Sequence, residues 1–180
     1  MLARQHTSID ELDPQAWNAL AGTDVPFLRH EFLAALEHTG CVGPASGWTP
    51  AYITLHDDAG LAAAAPAFIK SHSYGEFVFD FSWAEAYTHF GRNYYPKLSV
   101  CVPFTPATGA RLLVRPDLDA PLVRRRLATA IEDFTTDSHL SSAHALFLDE
   151  PGHEAFAQSG WLLRRDCQFH WYNQGYDSFD

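Results

Sequence analysis

Four residues, Asp57-Asp58-Ala59-Gly60, stand between two apolar runs, 51–56 and 61–71. Asp and Gly accept the left-handed backbone of a tight hairpin turn, so the two runs are expected to fold back on each other as antiparallel strands. A single hairpin cannot bury its own apolar face. The rest of the chain must therefore extend this pair into a sheet and cover it.

More strand-like runs lie at 98–104, 111–115, 143–148 and 161–172. Segment 76–81 alternates, with Phe77, Phe79 and Phe81 on one side and Glu76 and Asp80 on the other, and is expected to be a strand. In the last run Cys167, Phe169 and Trp171 share one face, and Gln168, His170 and Tyr172 share the opposite one.

Helix signals fall between these runs. Asp13 precedes Pro14, and Gly22 follows, which predicts a capped helix with proline in its first turn. A second helix is expected over 29–39, with Phe32, Leu33 and Leu36 on one face and Gly40 after it. Ser82 and Glu85 form a capping box for a short helix closed by Gly91. Asp119 opens a longer helix, in which Val123, Leu127, Ala130 or Ile131, and Phe134 recur at helical spacing. A last short helix is expected over 151–159, before Gly160.

The order is two helices, an antiparallel sheet with a helical insertion, then helix, strand, helix, strand. With 180 residues and no internal repeat, this predicts one α/β domain. Its sheet should be mixed, of about six or seven strands, with helices on both faces. The passage 111–148 should be a right-handed crossover if its two strands are parallel.

The formal net charge is −10, and Arg124-Arg125-Arg126 is the strongest basic run. That balance argues against general nucleic-acid binding, and the run suits a solvated helix face. Cys41, Cys101 and Cys167 are distant and odd in number, so buried free thiols in a reducing compartment are expected. The start, MLARQHTSIDELDP, carries no apolar signal core, and the small-residue stretch 61–66 is too short to span a bilayer. A cytoplasmic protein is the expectation.

Several polar groups are candidates for chemistry. Lys70, His72, Tyr74, Glu76 and Asp80 follow a small-residue strand. If the backbone stays extended, Lys70, His72 and Tyr74 share one face, and Glu76 and Asp80 share one. A carboxylate there can act as general base toward an amine; the other reading is structural polarity in a tight turn around Gly75. Tyr94 could protonate a leaving group or stack on a ligand, and Lys97 could hold an anion, against packing and exposure as the plain alternatives. Thr105, Thr108, Gly109 and Arg111 could bind an anion or form a hairpin turn. Gln168 and His170 decorate the last run. Glu76, Asp80 and Tyr94 are thus the catalytic candidates. Lys70, His72, Tyr74, Lys97, Thr105, Arg111, Gln168 and His170 are the binding candidates. One pocket is expected to gather Lys70, His72, Tyr74, Glu76, Asp80, Tyr94, Lys97 and Arg111, and to suit a zwitterionic, peptide-like ligand. No metal-ligand spacing, nucleophile elbow, Walker A or dinucleotide fingerprint occurs.

Five stretches carry a resemblance: PFLRHEFLAALE from Pro26, GWTP from Gly47, KSHSYGEFVFDFSWAEAY from Lys70, YYPKLSVCVPFTPATGARLL from Tyr94, and LLRRDCQFHWYNQGYDSF from Leu162. In that order they resemble the FemAB-like peptidoglycan biosynthesis/recognition proteins, which are predicted N-acyltransferases of the GNAT type. The resemblance implies a GNAT-like fold and transfer of an acyl or aminoacyl group to an amine, such as that of a cell-wall precursor. The alternative is a non-catalytic half that recognises a peptide or precursor. Family members look about twice as long, which implies a partner in the form of a C-terminal domain and a 180-residue half that is inactive alone. Acyl-coenzyme A is the implied cofactor, yet its loop is not evident. The nearest candidate, 105–111, contains Pro106, which has no N–H to offer a pyrophosphate.

Overall fold

The Asp57–Gly60 turn does close a hairpin. In a computed structural model, which describes residues 1–165, 167 and 169–178, strand β3 (Tyr52–Asp57) pairs antiparallel with β4 (Gly60–Ala65). The Ala59 amide donates to the Asp57 carboxylate at 2.9 Å, and Gly60 takes φ 111°. An N-terminal strand absent from the sequence reading, β1 (Leu2–His6), adds to the far edge of β3.

The apolar run 61–71 is not one strand. Pro66 divides it, because it donates no ladder hydrogen bond. Before Pro66, β4 belongs to one sheet; after it, β5 (Ala67–Lys70) belongs to another. That second sheet adds β2 (Trp48–Pro50), β6 (Lys97–Val100) and β8 (Ala143–Ala145), in the order β2-β5-β6-β8. The first is completed by β7 (Leu113–Val114), in the order β1-β3-β4-β7. Two four-stranded sheets therefore stand where one larger sheet was expected. β8 runs parallel to β6, not to β7.

The helices are α1 (Pro14–Ala21), α2 (His30–His38), α3 (Phe81–His89), α4 (Ala120–Asp137) and α5 (Glu150–Gln158). Asp13, Asp119 and Asp149 cap α1, α4 and α5 through their carboxylates. α1 and α2 cover the face that presents Tyr52, Ala64 and Phe68. α4 and α5 cover the other, which presents Ile53, Ala63, Ala65, Leu98 and Val100. The mixed α/β architecture with helices on both faces is as the sequence implies. Ala62, Ala63, Ala64 and Ala65 are wholly buried; side chains this small let helices approach the hairpin from both sides.

Two expected strands are not strands. Residues 76–80 form a loop and Phe81 opens α3; Phe77 takes the left-handed φ 57°, so the extended backbone ends there. The described part of 161–172 has no strand partner. The Ser82–Glu85 box does not cap α3; its N-cap is Asp80, two residues earlier, whose carboxylate points elsewhere. Of the cysteines, Cys101 is buried but Cys41 and Cys167 are exposed. No helix among the described residues is long and apolar enough to cross a membrane.

Candidate functional site

Strand register builds the polar side of the second sheet. Trp48 lies opposite Lys70, Lys70 opposite Lys97, and Ser99 opposite His144. Directly opposed residues share a face, and so do residues two apart on a strand. Trp48, Lys70, Lys97, Ser99 and His144 therefore line one face. The reverse face holds Ile69, Leu98 and Val100 against α4. Two ammonium groups side by side in a buried sheet need counter-charges. Segment 71–80 supplies them by crossing over this face.

Glu76 and Asp80 point down from that segment. Lys97 Nζ lies 2.8 Å from Glu76 Oε2 and 2.5 Å from Asp80 Oδ2, with all three residues buried. Ser99 Oγ donates to Glu76 Oε1 at 2.7 Å, and the Tyr94 hydroxyl donates to Asp80 Oδ2 at 2.7 Å. Ser73 Oγ donates to Asp80 Oδ1 and also bonds the Tyr95 hydroxyl. A serine has one proton to give, so Tyr95 must donate to Ser73. Burial pushes the Asp80 carboxyl up, but the bonds from Lys97, Ser73 and Tyr94 and the Lys97 charge outweigh it and hold it below the ordinary value. Burial, then Asp80, push the Tyr94 hydroxyl up.

His144 Nε2 sits 2.9 Å from Ser142 Oγ and 3.4 Å from Tyr94 Oη. Burial, then the charge of Lys97, lower its pKa to about 4, so it is neutral near pH 7. Lys70 lies outside the hydrogen-bonded network. Its Nζ rests 3.4 Å from the centroid of the Trp48 ring and donates to the Tyr74 carbonyl at 3.3 Å. Burial brings its pKa down to about 8. Gly75 makes this crossing possible. It takes φ 82°, and a Cβ there would stand 2.6 Å from the Phe104 ring and 3.2 Å from Trp48.

Beside the network lies a cavity of about 540 Å³, lined by Ala84, Glu85 and Thr88 of α3 and by Asn93, Tyr94 and Tyr95. Of the residues expected in one pocket, Tyr94 borders it. Lys70, Glu76, Asp80 and Lys97 lie buried beneath the crossing segment. His72 is half-buried with its ring against Tyr74, and Tyr74 is exposed. Thr105 Oγ1 donates to the Pro103 carbonyl. Arg111 is wholly buried, and its guanidinium donates to the carbonyls of Leu146, Ala110 and Ala107; it clamps 107–110 to the chain around 146. His170 is exposed, its ring stacked on Tyr172. Gln168 lies outside the described residues. Sequence reasoning missed Ser73, Glu85, Asn93, Ser99 and His144, and named Tyr95 only beside Tyr94. Ser99 was accessible to it, being two residues from Lys97 on the same strand.

A pyrophosphate would seek free amides at a helix N-terminus after a strand, and α4 is the helix that follows β7. Its first turn does not fit that ligand. The Leu122 amide is taken by the Asp119 carboxylate at 3.2 Å, Pro121 has no N–H, and the Val123 amide bonds the Asp119 carbonyl. A fixed negative charge occupies the anion's position. Loop 105–111 does not fit either, since Arg111 is spent on carbonyls and the Gly109 amide donates to the Phe147 carbonyl. No group of three or more His, Cys, Asp or Glu among the described residues is placed to hold a metal ion.

The chain matches the FemAB-like family, described as peptidoglycan biosynthesis/recognition, over residues 8–180, and it belongs to that family. No curated protein sequence matches it. Among solved structures it is similar to the aminoglycoside N-acetyltransferase AAC(6')-Iy in complex with CoA, at 13% identity and TM-score 0.56, covering 95% of this chain and 93% of that one. It is also similar to a probable acetyltransferase, at 13% identity and TM-score 0.52, covering 99% of each. A third is the 6'-N-acetyltransferase AAC(6')-Ig from Acinetobacter haemolyticus, at 11% identity and TM-score 0.50, covering 96% of this chain and 99% of that one. The shared fold is that of the GNAT acetyltransferases.

Proposed function

We propose that this chain serves N-acyl transfer by holding the acceptor, an amine-bearing, peptide-like molecule related to peptidoglycan precursors. The reading rests on where the tyrosine protons go. Tyr94 gives its proton to Asp80, and Tyr95 gives its proton to Ser73, which gives its own to Asp80. Both hydroxyl protons are thus drawn away from the cavity, which keeps oxygen lone pairs, ring faces and the Glu85 carboxylate. The tyrosine oxygens and the Glu85 carboxylate favour a ligand with N–H donors, the Asn93 amide can meet either a donor or an acceptor, and tyrosine rings favour a cation. The family's description supports peptidoglycan as the source of that ligand.

In this reading the ammonium is held by the Tyr95 oxygen and Glu85; passing one proton to Glu85 frees the nitrogen lone pair to attack the acyl carbon, and the bond from that carbon to the donor's leaving group then breaks. Asp80, Glu76 and Lys97 touch no ligand; they fix Tyr94 and Tyr95, and so are positioning residues. Acyl-coenzyme A does not belong to this chain's own machinery, because the first turn of α4 repels a diphosphate. The acyl donor is held by a second domain of the kind that the family resemblance implies.

Calorimetry of the 180-residue chain against a stem peptide bearing a free amine, the same peptide acetylated on that amine, and coenzyme A tests this. The free-amine peptide should bind, acetylation should weaken it at least about tenfold, and coenzyme A should give no heat. Tyr95→Phe should weaken the free-amine peptide alone. Equal binding of both peptides, or binding of coenzyme A, would refute the reading.

A further inference from the structure

The basic run Arg124-Arg125-Arg126 is not spent evenly. Arg124 donates to the Leu112 carbonyl at 3.4 Å, and Arg125 to the Gln158 side chain at 2.9 Å. The exposed guanidinium of Arg126 has no hydrogen bond or ion pair with any described residue. The same holds for the exposed carboxylate of Asp133, further along α4. Thr129 and Ala130 occupy the positions from which a helical neighbour between them would pair with either charge. Arg126 and Asp133 both line a cavity of about 440 Å³ where α4 meets β1. Its apolar wall is Ala3 and Leu55, which stand opposite each other in the β1–β3 register, and Ala130. Thr129 also lines it and gives its proton to the Arg125 carbonyl at 3.2 Å, so the oxygen left to the cavity accepts. β1 is the outermost strand of its sheet, and no strand among the described residues pairs with its outer edge.

We infer that this cavity binds a short zwitterionic peptide of about three residues, with its carboxylate on Arg126 and its ammonium on Asp133. Seven residues of α-helix rise about 10 Å and complete almost two turns. The two charges therefore stand on one stripe of α4, with their Cα atoms about 10 Å apart along the axis. Three extended residues span the same distance, about 10 Å. The terminal charges of a tripeptide can reach both ends at once, and those of a single amino acid cannot. A guanidinium and a carboxylate also match as a bidentate pair. Between the ends, Thr129 can accept from a peptide N–H, and the free edge of β1 can pair with peptide backbone. A simple anion would meet Asp133, and a simple cation would meet Arg126; a dipolar ligand satisfies both. This cavity belongs to the first sheet and the acceptor cavity lies beside the second, so the inference does not rest on the acceptor reading.

Titration of the full 180-residue chain with trialanine, followed by methyl NMR, tests this. The signals of Ala3, Leu55 and Ala130 should move together and saturate with a Kd of about 1 mM or tighter. Amidating the peptide's carboxylate, acetylating its amine, or shortening it to free alanine should each weaken binding at least about tenfold. Arg126→Glu should abolish the shifts. Adding Asp133→Arg should restore them, because the ligand can turn end for end. Circular dichroism checks that both variants fold, and the capped peptides decide the matter on the wild-type chain if either does not. The inference is overturned if the three signals stay still up to about 20 mM peptide, or if capped and uncapped peptides bind equally. Shifts that survive Arg126→Glu in a folded chain, or that a folded double variant fails to restore, overturn it as well. Shifts confined to Ala84 and Thr88 would place the peptide in the acceptor cavity and overturn this inference while leaving the acceptor reading intact.

Discussion

Replacing Lys97 with Met removes one positive charge from between two buried carboxylates, 2.8 Å and 2.5 Å away, while keeping most of the side-chain volume. Glu76 and Asp80 keep their bonds from Ser99, Ser73 and Tyr94, but no cation remains hydrogen-bonded to them. Breaking a buried pair in this way costs about 3–5 kcal/mol, since the desolvated partner charge is left uncompensated. In a chain of this size that lowers Tm by roughly 6–20 °C. The sign of the pH dependence is fixed by the same geometry. With the ammonium gone, the bond and charge from Lys97 that hold the Asp80 carboxyl down are lost, and burial pushes it up. Protonation then favours the folded state, so the deficit of Lys97→Met against wild type should shrink as pH falls from about 7 to about 5. Adding Glu76→Gln and Asp80→Asn should recover most of the loss, as a coupled network requires. Urea denaturation followed by circular dichroism measures each step. A Lys97→Met chain within about 1 kcal/mol of wild type, or a deficit unchanged across that pH range, would refute the reasoning.

Lys70→Met should behave in the opposite way. Lys70 titrates at about 8 because its ammonium is buried over Trp48, so at pH 7 the fold carries a charge it disfavours, and the variant should gain on the order of 1 kcal/mol or more. The gain should fade as pH rises through about 8 toward the unfolded value near 10.4, where wild type becomes neutral too. His144 titrates at about 4, below its unfolded value near 6.5. Its contribution to stability is therefore full above about pH 6.5 and lost as pH falls toward 4. Proton NMR of its ring should give the low value directly, and His144→Gln should flatten that part of the stability profile.

The elements legible in the sequence were those whose signals are local. Asp13 and Asp119 cap the helices that follow them, and Asp57 closes its own turn. Each reads within three residues of itself. The strand reading of 76–81 failed because alternation is informative only while the backbone is extended. One left-handed residue, Phe77, reverses which side chains face inward, and the phenyl groups went out while the carboxylates went in. No propensity signal warns of that, since the cause lies in Lys97 and Ser99 on a strand 17 or more residues later. Pro66 was visible as a breaker, yet its consequence, the transfer of the chain from one sheet to another, depends on which strands are already paired. The grouping of Glu76, Asp80, Tyr94 and Lys97 came from parity, and they do meet, although the backbone from Glu76 to Asp80 is not the strand that the grouping assumed. Their meeting instead follows from charge: two lysines opposed across β5 and β6 need carboxylates, and the nearest ones in the chain are these.

Such a network contributes little net stability, because desolvating each charge offsets most of what the pairing returns. What it does contribute is direction. Asp80 holds acceptor positions for three donors, Lys97, Ser73 and Tyr94, and each bond removes a rotational choice from the donor. Tyr95 is fixed one step further out, through Ser73. A cavity wall made of free hydroxyls could turn donor or acceptor to suit any ligand. A wall whose tyrosine protons are already committed presents acceptors at those two positions. The buried charges thus act at the cavity without reaching it, which is why substitutions at Asp80 should alter the choice of ligand more than a plain loss of stability predicts. Asp80→Asn separates the two effects: a side-chain amide can give a proton where the carboxylate only accepted, so Ser73 and Tyr95 can reverse and offer an O–H to the cavity. The preference for a free amine over its acetylated form should then narrow, even in a folded chain.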